Sequence, residues 1–181
     1  MCEYCGCQQI PVIGELTAEH DAVVALIALV RRDLARDDRD AAARTTRDIT
    51  AVLGPHTVVE EDGLFPLMAD EFPDHIDALR DEHARIHTVL AESATAVPDD
   101  PAWPSRLLTT LELLREHILK EQDGVFPATL SVLDGDGWEQ VERVRERAGS
   151  ALVPASDAPP GHHHHPHESH DHDDHHHVCA G

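Results

Sequence analysis

The chain has 181 residues, with 14 basic side chains against 35 acidic ones and a formal net charge of −21 at pH 7. Phosphate backbones and anionic headgroups repel such a polyanion, which argues against nucleic acid and membrane surfaces as partners. No apolar run approaches the roughly 20 residues that span a bilayer, and at 3% the aromatic content is lower than a sheet-based fold would use.

In chain order, the first segment, residues 1–13, carries Cys2, Cys5 and Cys7. Met1 to Gln9 shows no basic stretch followed by an apolar one, so no secretory leader is expected and a cytoplasmic location follows. The fourth cysteine, Cys179, stands at the other extreme. A disulfide framework would spread its cysteines through the fold, so free thiols, metal ligands or redox-responsive thiols fit better. Cys2-x-x-Cys5-x-Cys7 needs a further ligand, such as Cys179 or a histidine, to complete a zinc site.

Residues 14–149 read as a helical bundle. The first helix is expected from Gly14 to Arg36, where Leu16, Val23, Val24, Ile27 and Val30 follow a 3.6-residue period. The second runs from Arg39 to Ala69, with an interruption expected at Gly54-Pro55, just before His56. The third follows Phe72-Pro73-Asp74 and runs to Ala96, Pro73 suiting a first helical turn. The fourth follows Trp103-Pro104 and reaches Leu133, and a short amphipathic helix from Gly137 to Arg147 packs on the end. Short polar or proline-rich breaks join antiparallel neighbours, which predicts an all-α, up-down-up-down four-helix bundle with a short extra C-terminal helix.

Residues 150–181 form a linker and tail. Pro154 to Gly161 reads as the linker, and His162 to His177 holds ten of the sixteen histidines among Asp and Glu. With almost nothing apolar to bury, this stretch is expected to be disordered without a ligand. Its dense imidazoles would bind Ni, Zn or Cu weakly.

The chain also repeats itself. His56-Thr-Val-Val-Glu60-Glu-Asp-Gly-Leu-Phe65-Pro66 aligns with His117-Ile-Leu-Lys-Glu121-Gln-Asp-Gly-Val-Phe126-Pro127 at an offset of 61 residues, and Glu19-His20 with Glu82-His83 at 63. Helices three and four therefore repeat helices one and two, as a pseudo-twofold bundle. His56 and Glu60, like His117 and Glu121, are four residues apart and stack on one helical face. His20 and His83 each add an imidazole from another helix, and His87, one turn beyond His83, can reach the same place. Five imidazoles and two carboxylates exceed the needs of one tetrahedral ion. The mixed N/O set suits two irons in a bundle core, with Glu60 and Glu121 bridging.

The pattern His20, His56-x3-Glu60, His83, His117-x3-Glu121, with a Glu-Glu/Gln-Asp-Gly-x-Phe-Pro block in each half, resembles the haemerythrin-like (HHE cation-binding) family over residues 14–133. The resemblance implies an oxo- or hydroxo-bridged di-iron centre that meets dioxygen, peroxide or nitric oxide. It implies His83, His87 and His117 on one iron, His20 and His56 on the other, and an open position on the second. The family's oxygen carriers place an aspartate five residues after the last histidine, where this chain has Gln122, one residue after Glu121. The HxxxE form is typical of the wider HHE group, whose activities vary, so oxidant chemistry in a stress response is expected ahead of bulk oxygen transport. The other function the residues allow is metal handling, or iron or oxygen sensing without turnover, with the Cys and His termini binding a second metal.

Other residues carry plainer expectations. Glu19, Glu61, Glu82 and Asp123 adjoin the ligand positions and read as solvated acids, a supporting role beside the ligands being the alternative. His75 reads as solvated, Leu64, Phe65, Ile86 and Phe126 as core, and Trp103 and Trp138 as packing residues at helix starts.

Overall fold

The computed structural model describes residues 10–152. The cysteine cluster, the linker Pro154 to Gly161 and the histidine-rich tail lie outside the described residues. Within them there are helices and no strand: α1 (Pro11–Leu34), α2 (Arg39–Val59), α3 (Phe65–Met68), α4 (Pro73–Ala91), α5 (Trp103–Lys120), α6 (Phe126–Val132) and α7 (Gly135–Ala148). Two single π turns, Glu60–Leu64 and Glu121–Val125, join α2 to α3 and α5 to α6, so each of these pairs acts as one long rod. The four rods close a bundle in which α1 packs on α2, α2 on α4, α4 on α5, and α5 back on α1. The expected four-helix bundle with an additional C-terminal helix is what forms.

Local chemistry sets the boundaries. Pro11 opens α1 at the first turn, three residues before the expected start, because a proline there forfeits no hydrogen bond. Asp38 and Asp134 cap α2 and α7 by accepting from the amides of Ala41 and Gly137. The third helix stops at Ala91 rather than Ala96, where the Glu92, Ser93 and Ala94 amides turn to carbonyls three residues back.

The helix does not break at Gly54-Pro55; α2 passes through Pro55 unbroken. One missing amide donor is offset by burial of Ile49, Val52, Leu53, His56 and Val59 on either side of it. The irregularity lies further on, at the π turns. Pro66 and Pro127 lack the amide that would bond the residue four back, and each ring crowds that residue's carbonyl. The backbone widens instead, and the amides of Phe65 and Phe126 reach the carbonyls of Glu60 and Glu121, five residues back.

The core splits into two apolar clusters. One gathers Val23, Ile27, Leu53, Ile86, Leu90, Trp103, Leu111 and Leu114; the other gathers Ile13, Leu16, Val59, Phe65, Met68, Leu79, Phe126 and Val141. On each rod a histidine falls between the two: His20 between Leu16 and Val23, His56 between Leu53 and Val59, His83 between Leu79 and Ile86, and His117 between Leu114 and Phe126. A polar layer thus crosses the bundle with apolar packing above and below it. Val24, counted in the periodic set, lies on the exposed face instead.

Candidate metal centre

The polar layer consists of His20, His56, Glu60, His83, His117 and Glu121, none more than 5% exposed. Glu60 and Glu121 are each the first residue of a π turn, so the widened backbone begins at the carboxylate. Each carboxylate turns one oxygen to each half of the layer. Glu60 Oε1 lies 3.2 Å from His56 Nε2, and its Oε2 lies 3.4 Å from His83 Nε2. Glu121 Oε2 lies 3.2 Å from His20 Nε2, and its Oε1 lies 3.0 Å from His117 Nε2. Two clusters of converging donors result, His20/His56/Glu60/Glu121 and Glu60/His83/His117/Glu121, each with its ligand atoms within 4.8 Å of one another and both sharing the two glutamates.

The outer ring nitrogens are held as well. His56 Nδ1 is 2.9 Å from Glu19, His83 Nδ1 2.9 Å from Glu61, and His117 Nδ1 2.9 Å from Glu82. A carboxylate on Nδ1 fixes the tautomer whose Nε2 lone pair faces inward, which is how metal-binding imidazoles are commonly oriented. Glu19, Glu61 and Glu82, read from the sequence as solvated acids, therefore support the layer, and Glu19 is fully buried. The sequence did carry a signal: a glutamate precedes His20 and His83, and another follows Glu60. Asp123 is exposed. His20 is the exception among the four imidazoles, since its Nδ1 is buried without a hydrogen-bond partner. Phe126 stacks on the His20 ring at 5.6 Å and Phe65 on His83 at 5.7 Å, so each half of the repeat covers a histidine of the other.

His87 joins neither cluster. Its Nε2 is 3.1 Å from Thr57 Oγ1, and burial together with the neighbouring His83 pushes its pKa below the ordinary value. It lines a small cavity of about 10 Å³ with Thr57, Leu53, Ile86, Leu114 and the four layer histidines. His75 is exposed, against Phe72, as expected of a solvated residue. Trp103 is fully buried at the start of α5.

Electrostatics within the layer show what the carboxylates demand. Burial alone would lower the pKa of His56, but the charge of Glu60 and the hydrogen bond to Glu19 raise it to about 10. Burial is likewise outweighed at His117, which Glu121 lifts to about 9. Burial would raise Glu60, yet His56 and His83 hold it well below the ordinary carboxylate range. Protons on imidazole thus neutralise the paired carboxylates where a cation would otherwise do so. All four oxygens of Glu60 and Glu121 are buried and make no regular hydrogen bond, each facing an imidazole Nε2 at 3.0–3.4 Å. Buried carboxylate oxygens whose neighbours are inward-facing imidazole nitrogens are a donor set that a metal cation fits.

A four-helix bundle with paired imidazole–carboxylate clusters in its core defines a metal-binding helical protein. The chain matches the family model of the Hemerythrin HHE cation binding domain over residues 12–129, and it belongs to that family. Comparison with curated proteins and with solved structures found no match. No helix among the described residues is long and apolar enough to cross a membrane.

Proposed function

We propose that the chain is a non-haem di-iron protein that binds or turns over a small oxidant, hydrogen peroxide, nitric oxide or dioxygen, in the cytoplasmic response to oxidative or nitrosative stress. The observation that supports it above all is the sharing of both glutamates between two imidazole pairs, with one oxygen of each aimed at each pair. In this reading His20 and His56 would hold one iron, His83 and His117 would hold the other, and Glu60 and Glu121, which face both pairs, would be shared between them. Bound iron would supply a redox-active Lewis acid there.

The chain's own residues define the remainder. A cavity of about 10 Å³ has room on the order of one water molecule, which leaves no space for an organic substrate. Leu53, Ile86 and Leu114 keep bulk water from it. His87 Nε2 and Thr57 Oγ1 stand at its wall as polar partners for a small ligand. We assign His87 this role in place of the third imidazole that the resemblance implied.

Anaerobic reduction of the iron-loaded protein, followed by separate additions of O2, H2O2 and nitric oxide under absorbance, tests the proposal. A spectral change with at least one of them is expected. Iron-free, colourless protein after iron-replete expression contradicts the reading. The ten histidines of His162 to His177 and the four cysteines support a second reading, metal handling or sensing without turnover. Deleting residues 155–181 separates the two. Loss of metal tolerance with an unchanged iron spectrum favours handling, and unchanged turnover makes the tail accessory.

A further inference from the structure

Arg145 lies on α7, beyond the residues 12–129 that match the family, yet it reaches the polar layer. The residue is 8% exposed. Nη1 donates to Glu19 Oε1 at 3.0 Å and Nη2 to Oε2 at 2.9 Å, while Nη1 also donates to the Gly149 carbonyl at 2.9 Å. Nε lies 2.9 Å from Glu15 Oε2. Ser150, one residue past the helix cap, donates its hydroxyl to Glu19 Oε1 at 2.6 Å. An unbroken polar chain therefore runs from α7 through Glu19 to His56 Nδ1 and across the ring to Glu60.

Helix docking does not account for this arginine. Val141 and Val144 already bury the apolar face of α7, and a side chain at Gly63 in the first π turn would stand 3.5 Å from Val144 Cβ. A buried ion pair adds little stability over an apolar pair of similar volume. A guanidinium fork does supply two parallel bonds that hold a carboxylate in one plane. Among the described residues, the other half of the repeat lacks this device. Glu82, the counterpart of Glu19, pairs with the half-exposed Lys120, a single ammonium on a flexible stem.

We propose that Arg145 is a positioning residue of the metal centre: it locks Glu19, and through Glu19 the ring of His56, so that α7 sets the metal affinity of the His20/His56 half alone. The proposal rests on the two-metal reading above. The test is stepwise titration of Co(II), followed by its visible absorption, into metal-stripped full-length protein. Wild type, Arg145→Gln, Arg145→Lys and Val144→Ala are compared, each with a thermal melt. Arg145→Gln is expected to weaken one of two binding steps by about 10–100-fold, as loss of a partner behind a ligand does, and to leave the other step unchanged. Arg145→Lys keeps the charge without the fork and falls between. Val144→Ala lowers the melting temperature with both steps intact. Should Arg145→Gln not fold, Arg145→Lys carries the comparison, with the same selective weakening expected. Equal weakening of both steps, or no weakening of either, overturns the proposal while leaving the two-metal reading in place. A wild-type chain that takes up neither Co(II) nor Fe(II) overturns both.

Discussion

The two halves of the repeat present the same ligands to the centre and surround them differently. In the first half, Glu19 is fully buried and accepts from His56, Arg145 and Ser150. Burial would raise its pKa, but these hydrogen bonds hold it at about 2. In the second, Glu82 is part-exposed, pairs with His117 and Lys120, and borders an apolar groove of about 420 Å³ with Met68, Phe72 and Leu79. The π turns differ in the same way: α7 packs over Gly63, whereas a side chain at Gly124 would meet nothing within 4 Å. Duplication accounts for the inner shell of imidazoles and carboxylates. The asymmetry comes from α7, which covers one half and leaves the other facing solvent.

Removing a shared glutamate should erase this comparison altogether. Glu60→Ala or Glu121→Ala strips an oxygen from each cluster, and metal analysis is expected to show loss of at least one iron per chain. The supporting glutamates should then separate the halves. Glu19→Ala leaves the buried Arg145 with the half-exposed Glu15 as its remaining carboxylate and its Nη donors without their acceptor, and is expected to cost about 1–3 kcal/mol in denaturant unfolding. Glu82→Ala releases only an exposed lysine, at about 1 kcal/mol or less, although loss of the His117 partner should still weaken metal binding by about 10–100-fold.

The raised imidazoles give a pH dependence. Because His56 and His117 titrate near 10 and 9 in the metal-free chain, both are charged at pH 7 and metal uptake must displace their protons. Loading in weak buffer is therefore expected to release acid, and apparent affinity to rise with pH up to about 9–10. Metal-free stability should run the other way. The contribution of a raised imidazole is complete below its unfolded value near 6.5 and is lost as pH rises through 9 and 10. Glu60 and Glu121 are depressed, so their contribution is present above about 4.5 and is lost as pH falls. Thermal melts of stripped protein should therefore peak between about pH 4.5 and 6.5. The smallest effect is expected at His75, where His75→Ala should leave metal content and melting within about 0.5 kcal/mol of wild type.

Much of this was legible in the sequence because ligands and helical periodicity share one code. A histidine and a glutamate four apart, repeated at 61 residues, fix both the helix face and the pairing. The π turns were not read, although Pro66 and Pro127 mark them. A proline inside a helix announces a missing hydrogen bond without saying whether the backbone bends, breaks or widens, and Pro55 shows that it can also do none of these. The supporting carboxylates were misjudged because an acid beside a ligand lies at a different angle on the helix, and only the neighbouring helix decides what it meets. Arg145 was out of reach for the same reason: 126 residues separate it from Glu19, and no periodicity connects them.

The central claim is that two metals share Glu60 and Glu121. Anaerobic Fe(II) titration of the stripped full-length protein, followed by metal analysis after desalting, tests it most directly. Retention of two irons per chain in wild type, and of one or none in Glu60→Ala, is the predicted result. A wild-type chain that saturates at one iron, or a Glu60→Ala variant that keeps two, would contradict it.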